Sequence, residues 1–429
     1  MTGLTRVEHE IAMYARANVP SAIFAFWDSP SQSYRHIRSR WLDELLTGRF
    51  GLSTFAEPPG PSDIVTPRSP WHRGSKPPDA SWAGWLAATT RASVKQRVGG
   101  SFLRANQAAT EGTGPEDVLG PPIAWTPGDR LFMPASDWWA KDPDQFRRTI
   151  EANHLLFTAL CHDLIPDMFP DYYRDAEVKV FRKHWETALA VADHVVVDCE
   201  PIGRDVQDFA RRCGLREPRW TAIALTAERR PNQTPRMALP RALTKDRFIL
   251  FVSTIEPRKG HDVALEAWDQ LLAQGVPQES GVTLVLAGRI GWMVAGIEER
   301  LAKLQTDGHL VHLPMAPDAM LATLYENCLF TIYPSRYEGF GMPIVESLEY
   351  GKPVIISNAA PVVAVGQGLA MSLPLGDAGA LAAGIRELID PTTRHAYQRR
   401  IAEGYRSRSW NDYGAELFAL LDRDTRPNR

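Results

Sequence analysis

Two glutamates eight positions apart flank a glycine-rich segment in the last third of the chain. Glu338 precedes Gly339 and Gly341, and Glu346 follows them. Carboxylates accept hydrogen bonds from neighbouring hydroxyl groups, so a sugar and a ribose are natural partners for the pair. Glycine lets the backbone approach a ligand, and the free N–H groups that open a helix attract phosphate. The pattern indicates a sugar-phosphate or nucleotide site; the alternative is a helix cap followed by an exposed glutamate.

A basic pair forms the second candidate cluster. Arg258 and Lys259 lie between an apolar run and a helical pattern. Adjacent cations at a strand-to-helix turn can neutralise a diphosphate, the arginine as a fork and the lysine as a point charge. A solvated charge pair is the alternative. In the first half His162 and Asp163 follow another apolar run. A single histidine in such a place usually has a structural role, and contact with a ligand is the alternative.

The elements that must position these residues alternate regularly in the second half. Short apolar runs separated by helical patterns predict a doubly wound α/β domain with a parallel sheet, whose ligands bind at the carboxyl ends of the strands. Pro343 suits the first turn of a helix that ends near Gly351. The predicted strands are Phe248–Ser253, Val282–Ala287, Leu310–Leu313, Leu329–Tyr333, Val354–Ile356 and Ala370–Leu373.

The first half predicts a similar but less regular domain. Its strands are expected near Ser21–Trp27 and at Leu155–Cys161, His194–Cys199 and Thr221–Leu225, and its helices at Val178–Ala192 and Gly203–Arg212. A chain of 429 residues suits two domains. We expect an acceptor domain over 1–235 with a long insert at about 51–125, a donor domain over 246–410, and a C-terminal helix over 411–429 that packs back on the first domain.

Composition narrows the function classes. The net charge of −3 does not favour nucleic-acid binding, and four scattered cysteines fit a reducing compartment. No apolar run is long enough to span a bilayer, so we expect a cytoplasmic protein. Residues 81–106 combine tryptophans with arginines, which predicts either a peripheral contact with the inner face of the membrane or an ordinary packed helix.

The glutamate segment resembles the E-x7-E motif of retaining glycosyltransferases, and of glycosyltransferase family 4 in particular. Glu338-Gly339-Phe340-Gly341-Met342-Pro343, preceded by Pro334-Ser335, is similar to that family's PS and EGFG-P stretches, and Ser253–Gly260 is similar to its bacterial mannosyltransferase-like members. The resemblance implies two Rossmann-like α/β domains facing a central cleft, the GT-B fold.

The resemblance also implies roles. Glu338 would contact the transferred sugar, Glu346 the nucleotide ribose, and Arg258 with Lys259 the departing diphosphate. His162 would contact the sugar or the acceptor, assisted by Asp163. The implied donor contacts are completed by Ser253, Gly288, Arg289, Gly339, Phe340, Gly341 and Met342, and the acceptor side by Gly3, Arg6 and Asp163.

This chain departs from the family at several positions. Ser253 stands where glycine is common, Gly260 where asparagine is common, and Ser357–Val365 lacks the family's usual acid. Gly3 and Arg6 belong to a turn that follows a first strand in the family, whereas this chain begins at the turn. We therefore expect the first sheet to lack that strand.

The implied activity is a retaining, metal-independent hexosyltransferase that needs no cofactor, because the nucleotide-sugar is itself a substrate. The Glu256-Pro257-Arg258-Lys259 signature favours GDP-mannose or another GDP-sugar, with a glycan or lipid-linked saccharide acceptor in bacterial surface polysaccharide synthesis. The alternatives are a UDP- or dTDP-sugar transferase and a non-catalytic nucleotide-sugar-binding scaffold. Epimerases and phosphorylases share the fold, but we find neither the acids of the first nor the cofactor lysine motif of the second.

Overall fold

The computed structural model describes residues 3–28, 30–46, 118–134, 138, 141–228, 236–294 and 296–423. The predicted membrane segment 81–106 and most of the predicted insert lie outside these residues. The chain forms two compact units. Unit 1 comprises Met1–Val197, Gly203–Ile223 and Trp410–Arg429, and unit 2 comprises Asp198–Ile202 and Ala224–Ser409.

Unit 2 contains a parallel six-stranded sheet. Its strands are β8 Phe248–Val252, β9 Thr283–Ala287, β10 Leu310–Leu313, β11 Phe330–Tyr333, β12 Val354–Ser357 and β13 Met371–Leu373, and their order in the sheet is β10-β9-β8-β11-β12-β13. The strands are apolar, as is typical of parallel sheets covered on both faces, and four of the five residues of β8 are buried. All six lie within two residues of the predicted strands.

Helices connect these strands. In α7 (His261–Ala273) Ala264, Ala267 and Leu271 are buried at helical spacing. Trp268 is fully buried and donates from its indole N–H to the carbonyl of His309 over 2.9 Å. Within the described part of unit 2 the helices are α7 His261–Ala273, α8 Val276–Ser280, α9 Ile297–Thr306, α10 Asp318–Asn327, α11 Met342–Glu349, α12 Ala360–Gly366, α13 Ala378–Ile389 and α14 Pro391–Gly404.

Unit 1 contains a parallel sheet in the order β4-β5-β6-β7 and a separate antiparallel sheet in the order β1-β2-β3. The strands are β1 Ala25–Asp28, β2 Ser33–Ile37, β3 Leu119–Pro122, β4 Arg130–Met133, β5 Leu156–Cys161, β6 His194–Val197 and β7 Trp220–Ala222. The described helices are α1 Gly3–Asn18, α2 Ser39–Leu46, α3 Pro143–Ala152, α4 Ile165–Met168, α5 Asp175–Val191, α6 Glu200–Arg212 and α15 Trp410–Arg423.

The first and last helices of unit 1 pack on each other. Tyr14 stacks on Phe418 with ring centroids 5.5 Å apart, and the Arg6 guanidinium lies 5.8 Å from the centre of the Trp410 ring. Gly414 permits this contact, because a Cβ there would meet the Tyr14 ring at 2.3 Å. In the described residues no helix is both long enough and apolar enough to cross a bilayer.

Candidate active site

The two candidate clusters meet at the centre of the unit 2 sheet. From β8 the chain adds β9 and β10 on one side of the sheet, and it then returns to add β11, β12 and β13 on the other side. The topological switch point of the sheet therefore lies between β8 and β11. Ligands of open α/β sheets bind at such a switch point, outside the carboxyl ends of the strands. The turn after β8 carries Arg258 and Lys259, and the loop after β11 carries Glu338.

Glu338 lies between the two cations. Arg258 donates from Nη1 to Glu338 Oε2 over 2.7 Å, and Lys259 donates from Nζ to Oε1 and Oε2 over 2.8 and 2.9 Å. The second amino group of Arg258 donates to Glu256 Oε1 over 2.7 Å, and the Tyr333 hydroxyl donates to Glu338 Oε1 over 2.8 Å. Two carboxylates thus balance two cations in one hydrogen-bonded cluster.

The Glu338 side chain is only 4% exposed, so its neighbours strongly affect its pKa. Burial alone raises the pKa of this carboxyl, but Arg258 and Lys259 outweigh it and lower the pKa to about 2. Glu338 is therefore an anion at neutral pH. It can accept hydrogen bonds from hydroxyl groups, and it neutralises cations that a diphosphate would also attract.

The turn that carries the cations is clamped by a third basic residue. Arg336 donates from Nη1 to the carbonyl of Pro257 over 2.7 Å and forms a two-pronged ion pair with Asp262 at 2.9 and 2.6 Å. Its backbone N–H donates to the carbonyl of Arg258 over 2.7 Å. This clamp ties the loop after β11 to the turn after β8.

Gly260 closes the same turn in a left-handed conformation, with φ of +76°. A Cβ at this position would lie 2.2 Å from the carbonyl oxygen of Pro334, so glycine is required for the close approach. Asparagine, which is common here in the resembling family, tolerates the same φ but has a Cβ that this close approach excludes. The departure noted in the sequence thus matches the contact between Gly260 and Pro334.

The predicted donor residues on β8 and β9 also lie together. A Cβ on Gly288, whose φ is +153°, would lie 2.0 Å from the carbonyl oxygen of Ser253. The hydroxyl of Ser253 donates to the carbonyl of Thr254, and the side chain of Arg289 is exposed. Ser253 and Gly288 therefore shape this edge, while Arg289 offers a cation to solvent.

The glycine loop leads into α11 as predicted. Phe340 is buried, Gly341 has φ of +91°, and Met342 is the first residue of the helix. One turn into α11, Glu346 is half-buried and accepts a hydrogen bond from the Tyr325 hydroxyl over 2.7 Å. The alternative of an exposed glutamate is wrong for Glu346, and Glu338 is an ion-pair partner rather than a helix cap.

The remaining predicted residues belong to unit 1. His162 follows the last residue of β5 and is 9% exposed. Asp163 accepts the N–H of Ile165 over 3.0 Å and so stabilises the start of α4. Gly3 is the first residue of α1, and Arg6 lies against Trp410. Their roles toward a donor or an acceptor stay predictions.

Sequence reasoning assigned no role to Tyr333, Tyr325, Glu256, Arg336 or Asp262. Tyr333, Glu256 and Arg336 lie inside the two motifs, which is the feature that could have drawn attention to them. The contacts that each makes depend on the pairing of β8 with β11, which the sequence does not give. Across the described residues there is no group of three His, Cys, Asp or Glu side chains placed to hold a metal ion. Helix α12, in the segment that lacks the expected acid, begins at Ala360.

Comparison with known proteins defines the class. Residues 238–406 match the family described as Glycosyl transferases group 1. The fold is GT-B, as in solved glycosyltransferases. An α,α-trehalose-phosphate synthase (UDP-forming) from Burkholderia vietnamiensis is 13% identical with a TM-score of 0.54, covering 81% of each chain. Anabaena HepE, solved with UDP and glucose, is 18% identical with a TM-score of 0.51, covering 68% of this chain and 78% of its own.

Among curated proteins the chain is similar to mannosyltransferases of O-antigen synthesis. O-antigen chain mannosyltransferase B of Escherichia coli is 28% identical over 302 residues, which cover 66% of this chain and 71% of that protein. The serotype-specific mannosyltransferase WbdA of the same species is 34% identical over 122 residues, which cover 28% of this chain and 14% of WbdA. A D-inositol 3-phosphate glycosyltransferase of Acidothermus cellulolyticus is 31% identical over 159 residues, about a third of each chain.

Proposed function

We propose that this chain is a retaining, metal-independent hexosyltransferase. It moves a sugar from a nucleotide-sugar, with GDP-mannose as the first candidate, to a glycan or lipid-linked saccharide in bacterial surface polysaccharide synthesis. The observation that carries the proposal is the contact of Arg258 and Lys259 with Glu338 at the switch point of the sheet. This contact supports the proposal because two cations, the charges that a departing diphosphate requires, lie beside a carboxylate that can accept hydrogen bonds from sugar hydroxyls.

In the proposed reaction the bond between the sugar and the diphosphate breaks as the acceptor oxygen bonds to the same carbon from the same face. Arg258, Lys259 and the N-terminus of α11 stabilise the negative charge that develops on the diphosphate. A phosphate oxygen takes the proton of the acceptor hydroxyl. Glu338 orients the sugar and Glu346 holds the ribose.

The diphosphate and Glu338 compete for the same cations. Arg258 and Lys259 are already neutralised by Glu256 and Glu338, so a bound diphosphate must take their hydrogen bonds from Glu338. The exchange frees Glu338 to accept bonds from the sugar at the moment the donor arrives. Binding and activation of the site are thus linked by one ion-pair exchange.

Similarity to O-antigen mannosyltransferases favours GDP-mannose. The UDP-forming synthase and HepE, solved with UDP and glucose, support a UDP-sugar as the alternative donor. A non-catalytic nucleotide-sugar-binding scaffold is the second candidate function, because Ser357–Val365 lacks the acid of the resembling family. A cytoplasmic location with a membrane contact through 81–106 stays a prediction.

The test is a thermal-shift panel of GDP-, UDP-, dTDP- and ADP-sugars, followed by transfer from the best donor. Saturating donor stabilises the protein by about 2.7 kcal/mol at a hundred times its Kd, which gives a clear shift. We expect a selective rise with GDP-mannose, its loss in Lys259→Ala, and a product with the donor's anomeric configuration by NMR. A shift without transfer to any saccharide would indicate the scaffold, and inversion at the anomeric carbon would contradict retention.

A further inference from the structure

Each glutamate of the candidate site accepts a hydrogen bond from a buried tyrosine. The Tyr333 hydroxyl donates to Glu338 Oε1 over 2.8 Å, and the Tyr325 hydroxyl donates to Glu346 Oε2 over 2.7 Å. Both tyrosines are only 2% exposed. The two pairs are nested along the chain, because Tyr333 precedes Glu338 by 5 positions and Tyr325 precedes Glu346 by 21.

The structure holds both hydroxyl groups in place. Tyr333 is the last residue of β11, and its ring meets Phe251 edge-on with centroids 6.3 Å apart. Tyr325, in α10, stacks on Tyr350 at 5.3 Å. Ring packing therefore fixes where each phenol points.

Both phenols stay protonated donors. Burial raises the pKa of Tyr333 and of Tyr325 well above the usual tyrosine value, and the adjacent glutamates raise it further. A neutral hydroxyl beside a carboxylate donates a charge-assisted hydrogen bond, which is stronger and more directional than one between neutral groups. Each tyrosine can therefore orient its glutamate.

We propose that Tyr333 and Tyr325 are the positioning residues of the two glutamates, the first acting on the transferred sugar through Glu338 and the second on the ribose through Glu346. The inference rests on the proposed function. Arg258 and Lys259 also hold Glu338, but a diphosphate recruits both. Tyr333 also accepts a hydrogen bond from Lys259 over 3.2 Å. It carries no charge for the diphosphate to attract, so it keeps Glu338 oriented when Lys259 turns to the diphosphate.

The test compares Tyr333→Phe with Tyr325→Phe, measured as GDP release from GDP-mannose with p-nitrophenyl α-mannoside as acceptor. Tyr325→Phe removes one hydrogen bond to a charged group, and Tyr333→Phe removes two, the one donated to Glu338 and the one accepted from Lys259. Loss of one such bond has an effect of about ten- to a hundredfold. We expect Tyr333→Phe to lower kcat by that factor with little change in KM. Tyr325→Phe should raise the KM for GDP-mannose with a smaller effect on kcat.

The matched control is Tyr405→Phe, which also removes a phenol beside a glutamate, Glu349, at the far end of α11. Its kinetics should equal those of the wild type. A double-mutant cycle separates positioning from stability: because Tyr333 acts through Glu338, Tyr333→Phe should cost less than about twofold in a Glu338→Gln background.

An unchanged kcat in Tyr333→Phe would overturn the inference, as would an equal loss in both backgrounds. Wild-type protein that transfers no sugar from any donor would overturn the proposed function instead, and the roles of both tyrosines with it. The wild-type assay therefore distinguishes the two failures.

Discussion

Glu338 and Glu346 lie at two ends of one loop and helix, and the protein surrounds them differently. Glu338 is almost fully buried among two cations and a phenol, and its pKa is lowered to about 2 because Arg258 and Lys259 outweigh the effect of burial. Glu346 is half-buried and accepts a hydrogen bond from the Tyr325 hydroxyl.

The two surroundings suit the two glutamates to different tasks. A carboxylate inside an ion-pair cluster changes its interactions when the charge near the cluster changes. Glu338 is therefore suited to the proposed step in which the diphosphate departs. A half-buried carboxylate beside a phenol suits steady binding of neutral hydroxyl groups. Interactions made mainly in the transition state change kcat, and those made equally with bound substrate change KM.

The largest effect should come from removing both cations. In Arg258→Ala with Lys259→Ala, the departing diphosphate loses its compensating charge and Glu338 is left as a buried, unpaired anion. We expect kcat/KM to fall about a thousandfold in steady-state transfer. Arg300→Ala, which removes the half-exposed ion pair with Asp269, is the control and should leave kcat/KM unchanged.

Glu338→Gln should follow in size. It keeps the shape of the side chain and removes its charge, so kcat should fall about a hundredfold or more while donor still binds. Single-turnover kinetics with saturating GDP-mannose checks this. Transfer at the wild-type rate would show that Glu338 has no part in the chemical step.

Glu346→Gln should act on binding. The neutral amide accepts weaker hydrogen bonds from the ribose hydroxyl groups than the carboxylate does. The KM for the donor should therefore rise about tenfold, while kcat stays within about threefold of the wild-type value. If kcat fell as far as in Glu338→Gln, the contrast between the two ends would be lost. Glu349→Gln, on the same helix, serves as the control.

The smallest effect concerns stability. Gly260 and Gly308 share a φ of +76°, but a Cβ on Gly308 meets nothing within 4 Å, whereas one on Gly260 meets the carbonyl of Pro334 at 2.2 Å. Gly308→Ala should lower the free energy of unfolding by about 1 kcal/mol from backbone strain alone. Gly260→Ala should cost about 2–3 kcal/mol, measured by urea denaturation, and equal losses would show that the close contact is dispensable.

The sequence predicted unit 2 well because its strands are buried on both faces and are therefore continuous apolar runs. Unit 1 was harder. Ser33–Ile37 and Leu119–Pro122 were not predicted as strands, since the first mixes charged residues with apolar ones and the second ends in two prolines. Prolines are tolerated there because β3 is an edge strand.

The candidate site was predictable as residues but not as contacts. Glu338, Glu346, Arg258 and Lys259 lie in motifs with a physical reason for each type. That the cations would bond to Glu338 depends on β8 and β11 being neighbours in the sheet, although about eighty residues separate them. The roles of His162 and Asp163 stay predictions.

In the proposed mechanism Glu338 and the diphosphate compete for Arg258 and Lys259. This competition is tested by calorimetric titration of GDP into wild-type protein and Glu338→Gln, with mannosyl transfer assayed on the same preparations. We expect GDP to bind about tenfold tighter to Glu338→Gln, about 1.4 kcal/mol, together with the loss of transfer. Because the pKa of Glu338 is about 2, the difference should persist between about pH 5 and pH 8. Weaker GDP binding by Glu338→Gln than by the wild type would contradict the competition.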